Sequence, residues 1–151
     1  MEYKDILDRL SPCGIRCDTC FAFKEGHIHS LSRQLSEHLG NFQNYAPRFS
    51  EVLNEPVFNI YPYFKLQLDY FREVSCKGCR HEKCKLMKTC KVRLCIEKKG
   101  VDFCFECSEF PCKTTGLDEN LESRWENNNR KMKALGVKDY FAGIQGNHRY
   151  S

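Results

Sequence analysis

Eleven cysteines in 151 residues are the side chains best able to do chemistry, and they fall into three clusters. The first is Cys13-x3-Cys17-x2-Cys20, the second Cys76-x2-Cys79-x4-Cys84-x5-Cys90-x4-Cys95, and the third Cys104-x2-Cys107-x4-Cys112. A C-x2-C pair places two thiolates on one tight turn around a single ion, the way closed zinc sites are built. Gly78 inside the second pair suits such a turn, because it brings no Cβ. The spacing of Cys76, Cys79 and Cys84 recurs in Cys104, Cys107 and Cys112, and each triplet lacks a fourth ligand. Cys90 and Cys95 could complete one triplet each, giving two four-thiolate sites. Alternatively, all eleven cysteines and one histidine (His81, His27 or His29) make the ligands of three sites.

Zinc and iron–sulfur clusters share these ligands. Neither ferredoxin spacing, bacterial or plant-type, occurs. The first cluster has the C-x3-C-x2-C spacing of radical S-adenosylmethionine enzymes. However, Thr19 stands where those enzymes usually carry an aromatic, and no strand–helix alternation provides their barrel. The expected cofactor is therefore zinc, two or more ions, with an iron–sulfur cluster as the alternative. A catalytic zinc needs a neighbouring base, for which Glu25, His27 and His29 are the candidates. No phosphate loop, nucleophile elbow or H-E-x-x-H is present, so the metal reads as structural and no residue as catalytic.

The elements around the thiols are mostly helical. Ile6, Leu7 and Leu10 predict a short helix over residues 1–10, stopped by Ser11-Pro12. Asp18 or Thr19 can cap another that ends near Gly26. Leu31, Leu35, Leu39, Phe42, Ala46, Phe49 and Leu53 recur at helical spacing and predict one buried stripe, broken at Gly40 and Pro47. Nine aromatics between Phe42 and Phe71 read as the core of a small domain, with a helix from Tyr63 to about Val74. Residues 75–116 show little periodicity. Asp118 caps a predicted helix with Leu121, Trp125, Asn128, Met132 and Leu135 on one face, ended by Gly136. A last helix spans 137–144, and the tail from Gly146 is expected to be loose. The fold class is mostly α: a small helical domain with an irregular cysteine-rich metal-binding lobe. One domain covers 1–151, with metal-binding parts at 12–20 and 75–116, a helical insertion at 27–74 and C-terminal helices at 117–145.

The formal charge of +4 is uneven: residues 76–100 carry nine basic and two acidic side chains. A phosphate-binding patch is one reading; lysines offsetting metal-bound thiolates is the other. The second is favoured, because five cysteines share the stretch and no aromatic lies in it for base stacking. Two four-thiolate zinc sites release eight protons and add four positive charges, which takes +4 to zero. No apolar run approaches the ~20 residues of a membrane helix, and Met-Glu-Tyr-Lys-Asp-Ile-Leu is no signal peptide, so a reducing cytoplasm is expected.

Four ordered motifs carry a resemblance: Pro-Cys-Gly-Ile-Arg-Cys-Asp-Thr-Cys at 12–20, Cys-Lys-Gly-Cys at 76–79, Cys-Lys-Val-Arg-Leu-Cys-Ile-Glu-Lys-Lys-Gly-Val at 90–101, and Cys-Phe-Glu-Cys-Ser-Glu-Phe-Pro-Cys at 104–112. The chain resembles an uncharacterised family of small bacterial and archaeal cysteine-rich, zinc-finger-like proteins, catalogued as a domain of unknown function. The resemblance implies Cys13, Cys17, Cys20, Cys76, Cys79, Cys90, Cys95, Cys104, Cys107 and Cys112 as metal ligands. Cys84 lies outside that pattern, in which case the N-terminal trio shares sites with the later clusters. The expected function is a zinc-stabilised cytoplasmic interaction or adaptor module with a macromolecular partner. Nucleic acid is the less favoured partner, and a membrane is not expected.

Overall fold

Apolar side chains four residues apart start the fold. Ile6 and Leu10 lie on one side of α1 (Tyr3–Arg9) and at its end, and both are buried. The computed structural model describes residues 1–150, which form two compact units. One comprises Met1–Cys20 with Cys76–Ser151, the other Phe21–Ser75. Among the described residues there are seven α-helices and no strand, a mostly helical fold; an isolated antiparallel bridge joins Leu10 to Arg16.

The first unit holds α1, α5 (Val92–Lys99), α6 (Glu119–Leu135) and α7 (Val137–Gly143). The Asp118 carboxylate accepts the Leu121 N–H at 2.9 Å and opens α6. Gly136, at φ +82°, ends it. Ile6, Leu10, Phe103, Met132, Tyr140 and Phe141 form one core cluster. Val92, Ile96, Cys104 and Trp125 form a second, against which Cys13, Cys90 and Cys112 pack. The buried face of α6 is Trp125, Asn129 and Met132. It thus turns Asn129 inward in place of the expected Asn128, and Leu135 is exposed. Asn129 is fully buried and satisfied: its amide donates to the carbonyls of Trp125 (3.0 Å) and Pro12 (3.4 Å), while its oxygen accepts the Phe105 N–H (3.1 Å).

The second unit holds α2 (His27–Leu39), α3 (Ala46–Val52) and α4 (Tyr61–Arg72). The expected helix over 18–26 is absent; those residues turn, and Gly26 precedes α2 instead of ending an earlier helix. α4 begins at Tyr61, two residues before the expected start, because Pro62 fits the first helical turn, where no N–H is needed. The ring of Phe42 lies 4.9 Å from Tyr61, 5.7 Å from Phe49 and 6.1 Å from Phe58. Aromatics therefore do build this unit's interior, with Ala46 and Leu68 buried beside them.

The stripe from Leu31 to Leu53 is not buried as expected. Leu31 is 62% exposed, and Leu35, Phe49 and Leu53 are exposed as well, while the polar Ser32 is buried. Two further expectations fail in the first unit. Residues 75–116 contain α5, whose Val92 and Ile96 are buried and which ends at Gly100 in the left-handed region. The tail is also tied down, since Arg149 Nη1 donates to the Arg16 carbonyl at 2.5 Å.

Candidate metal centre

All eleven cysteines belong to the first unit, and α5 with the turns that follow it gathers four of them. Cys95 projects from α5, one residue before the buried Ile96. Cys104 and Cys107 lie in and just after a single 3-10 turn. The carboxylate of Glu106 holds that turn by accepting the N–H groups of Asp102 (2.8 Å) and Phe103 (3.1 Å). Cys95, Cys104, Cys107 and Cys112 line one void of about 20 Å³, closed by Ile96, Val101, Phe110 and Trp125. That is room for a single small ion or one water.

The polar atoms around this void point at sulfur. Cys107 Sγ accepts the Glu109 N–H, and Cys112 Sγ accepts the Thr114 hydroxyl, both at 3.4 Å. Trp125 Nε1 is buried with no conventional hydrogen-bond partner, and the group it approaches is the Cys104 sulfur. Burial pushes the Cys104 thiol up to about 12, so a proton stays on it unless a cation compensates the charge. Lys99 lines the void, pairs with Glu109 and lies near Cys107 and Cys95.

A second group of thiols joins the N-terminal turn to the turn at 76–84. Cys17, Cys79 and Cys84 are hydrogen-bonded in a chain, with Cys79 in the middle. A thiol has one proton, so Cys79 donates to one neighbour at a time and is itself held protonated. Hydrogen bonding from Cys79 lowers whichever neighbour accepts its proton, Cys17 to about 7 or Cys84 to about 5. Cys84 Sγ also accepts the Met87 N–H at 3.3 Å. Cys76, adjacent to Cys17, accepts the Gly78 N–H at 3.4 Å, and Gly78 has φ +97°. Only a residue without Cβ takes that conformation without strain. Cys84, outside the ligand set drawn from the resemblance, thus sits among the ligand candidates. Its signal in the sequence is the repeat that matches it to Cys112.

Cys13 lies between the groups. Its sulfur is 2.9 Å from the Ser11 hydroxyl, and its thiol is raised by burial, with Cys17 and Cys90 near enough to add to the shift. Cys90 Sγ faces the Val92 and Arg93 N–H groups at the start of α5. Cys20 is buried, and its N–H bonds the Cys17 carbonyl at 2.8 Å. Among the described residues, no three Cys, His, Asp or Glu side chains close to metal-ligand geometry. Chemically, the donors fit a thiophilic cation: thiols on short turns, N–H groups directed at sulfur, and an ion-sized void.

The histidines are placed elsewhere. His81 Nε2 is 3.4 Å from Asp8 Oδ1. His27 and His29 belong to the other unit, where the His29 ring bonds the Phe71 carbonyl at 3.3 Å. Glu25 is in that unit too, 3.4 Å from Lys24. The basic stretch is also partly structural. Arg80 is half-buried, its Nε on the Leu7 and Leu10 carbonyls (3.0 Å each), its Nη1 on that of Asp102 (2.9 Å), and its plane over Phe103. Arg93 pairs with Glu97 at 2.8 Å and Lys85 with Glu82 at 3.6 Å.

Among the described residues, no helix is long and apolar enough to cross a membrane. No curated protein and no solved structure matches the chain. A family match covers residues 9–116, from the end of α1 through the last cysteine turn, and on that extent the chain belongs to the family described as "Protein of unknown function (DUF3795)".

Proposed function

We propose that the chain is a structural zinc protein of the cytoplasm, in which two or more zinc ions on cysteine thiolates order a module that docks a macromolecular partner. The observation that carries this reading is the set of four thiols, Cys95, Cys104, Cys107 and Cys112, around one ion-sized void, with the orphaned indole N–H of Trp125 turned toward sulfur. Cys17, Cys76, Cys79 and Cys84 are the ligands of a second ion. Zinc bound there compensates buried thiolate charge and links turns that are distant in sequence. The nearby Lys99 and Arg149 reduce the remaining negative charge. The docking part is supported by apolar side chains left in solvent on the second unit, among them Leu31, Tyr63 and Leu66. A reducing compartment suits a chain this rich in thiols.

Elemental analysis of the purified protein, together with circular dichroism before and after chelation, tests the reading. Two or more zinc ions per chain are expected, with helical signal lost on their removal. A brown protein carrying iron, or a metal-free protein with unchanged helicity, would overturn it.

A further inference from the structure

Arg124, Asn128 and Lys131 follow the i, i+4, i+7 spacing that aligns side chains on one stripe of α6. They line a cleft of about 270 Å³ in the first unit, together with Arg16 and Thr19 of the first cysteine turn and Arg149 of the tail. Among the described residues lining it, none is acidic. Arg16 is scaffold: Nε and Nη2 clasp the Asp18 carboxylate at 2.9 and 2.6 Å, and Nη1 donates to the Ile144 and Gln145 carbonyls at 3.1 and 2.6 Å. Arg149 is anchored through Nη1 on the Arg16 carbonyl. Arg124 and Lys131 are exposed on the helix. Arg124, Lys131 and the remaining donors of Arg149 set three positive charges around one concavity, an arrangement that a bound anion turns favourable.

We propose that this cleft binds a small phosphorylated anion of diphosphate size. Two guanidinium forks, an ammonium, the Asn128 amide and the Thr19 hydroxyl come from three separate segments. Donors of that variety suit the several oxygens of phosphoryl groups, whereas a planar carboxylate is saturated by one fork. The volume lies just under the ~300 Å³ at which small-ligand pockets begin, too small for a large cofactor. A nucleic-acid track would need a row of stacking platforms, whereas the cleft is lined by two rings, Tyr140 and His148, and Tyr140 is buried with its hydroxyl on the Gly14 carbonyl at 2.8 Å. None of these donors is a thiol, but Thr19 and Arg149 lie beside the Cys17 group, so metal content is measured alongside binding.

Calorimetric titration of the full-length protein at constant ionic strength, with inorganic pyrophosphate and with citrate as probes, tests it. Saturable binding of one pyrophosphate is expected, with citrate at least about tenfold weaker. Arg124→Gln and Lys131→Gln should each weaken pyrophosphate binding about tenfold, as expected when a charge-assisted contact is removed. Lys133→Gln, on the same helix but outside the cleft, should leave it unchanged. All three positions are exposed, so circular dichroism and metal content should match the parent protein. Absence of saturable pyrophosphate binding, equal affinity for citrate, or undiminished binding by both cleft variants would each overturn the proposal. So would a single-stranded RNA that binds through Arg124 and Lys131 when pyrophosphate does not.

Discussion

The hydrogen-bonded thiols Cys17, Cys79 and Cys84 give the metal-free protein a distinctive titration. When Cys79 donates to Cys84 it favours that thiolate, taking Cys84 from an ordinary value of 9.0 to about 5. A depressed folded-state value stabilises the fold fully above the unfolded value, and that contribution is lost as pH falls toward the folded one. The metal-stripped protein should therefore lose stability between about pH 9 and pH 5, as followed by denaturant titration. The rate at which Cys84 is alkylated, read by mass spectrometry, should titrate with a midpoint near 5. Cys79→Ala should move that midpoint up toward the ordinary thiol range; an unmoved midpoint would show that Cys79 is not the donor. Gly14, within the first cysteine cluster, tests whether the turn needs its shape. It has φ +78°, and an added Cβ would lie 2.5 Å from Asn128 Cβ and 3.1 Å from Met132 Cε. Gly14→Ala should cost about 3 kcal/mol in thermal or chemical unfolding, combining left-handed strain with overpacking. A loss under about 1 kcal/mol would mean that α6 yields to it.

At the scale of elements, burial and exposure divide the apolar positions sharply. Trp125 is 1% exposed on α6, so Trp125→Ala should destabilise by about 3–5 kcal/mol. Leu31→Gln on α2, at a position left in solvent, should change stability by less than about 0.5 kcal/mol. Paired unfolding curves decide it, and similar losses for the two variants would contradict the assigned burial. The contrast also shows what a sequence makes legible. Period and caps were enough for α1, α6 and α7, where Asp118 and Gly136 mark the ends of a helix with an inward face. Leu31, Leu35 and Phe49 share a period too, but period states which side chains align and not whether anything covers them. α5 was hidden because its inward residues, Val92 and Ile96, alternate with a cysteine and four charges. Arg80 read as part of a charged surface because its carbonyl partners, at Leu7, Leu10 and Asp102, are distant in sequence. The thiols follow the same rule. C-x2-C spacing tells which two share a turn, whereas the meeting of Cys17 with Cys79 and Cys84, or of Cys95 with Cys112, depends on which turns converge.

For the whole molecule, the division into two units separates two ways of building an interior. The unit of Met1–Cys20 with Cys76–Ser151 contains every cysteine, and its first cysteine turn is held from far along the chain. Tyr140 donates to the Gly14 carbonyl, Asn129 to that of Pro12 and Arg149 to that of Arg16. These three holding residues lie beyond residue 116, where the family match ends, so a turn inside the matched region is held by residues outside it. The unit of Phe21–Ser75 contains no thiol, and Phe42, Phe49, Phe58 and Tyr61 touch one another within it. Removal of metal should consequently act on one unit and spare the other. Hydrogen exchange read by mass spectrometry on the full chain, with and without a zinc chelator, measures this directly. Amides of α5 and of the turns at 13–20, 76–90 and 104–112 should lose protection on chelation, because thiolate charge without a cation opposes their closure. Amides of α2 and α4 should keep theirs, since these two helices pack on each other without a cysteine. Uniform loss across both units would mean that the chain unfolds as one cooperative body and that the aromatic unit depends on metal bound elsewhere. Unchanged exchange in the thiol-bearing unit would mean that its turns are closed by protein contacts alone, with no structural role for the ion.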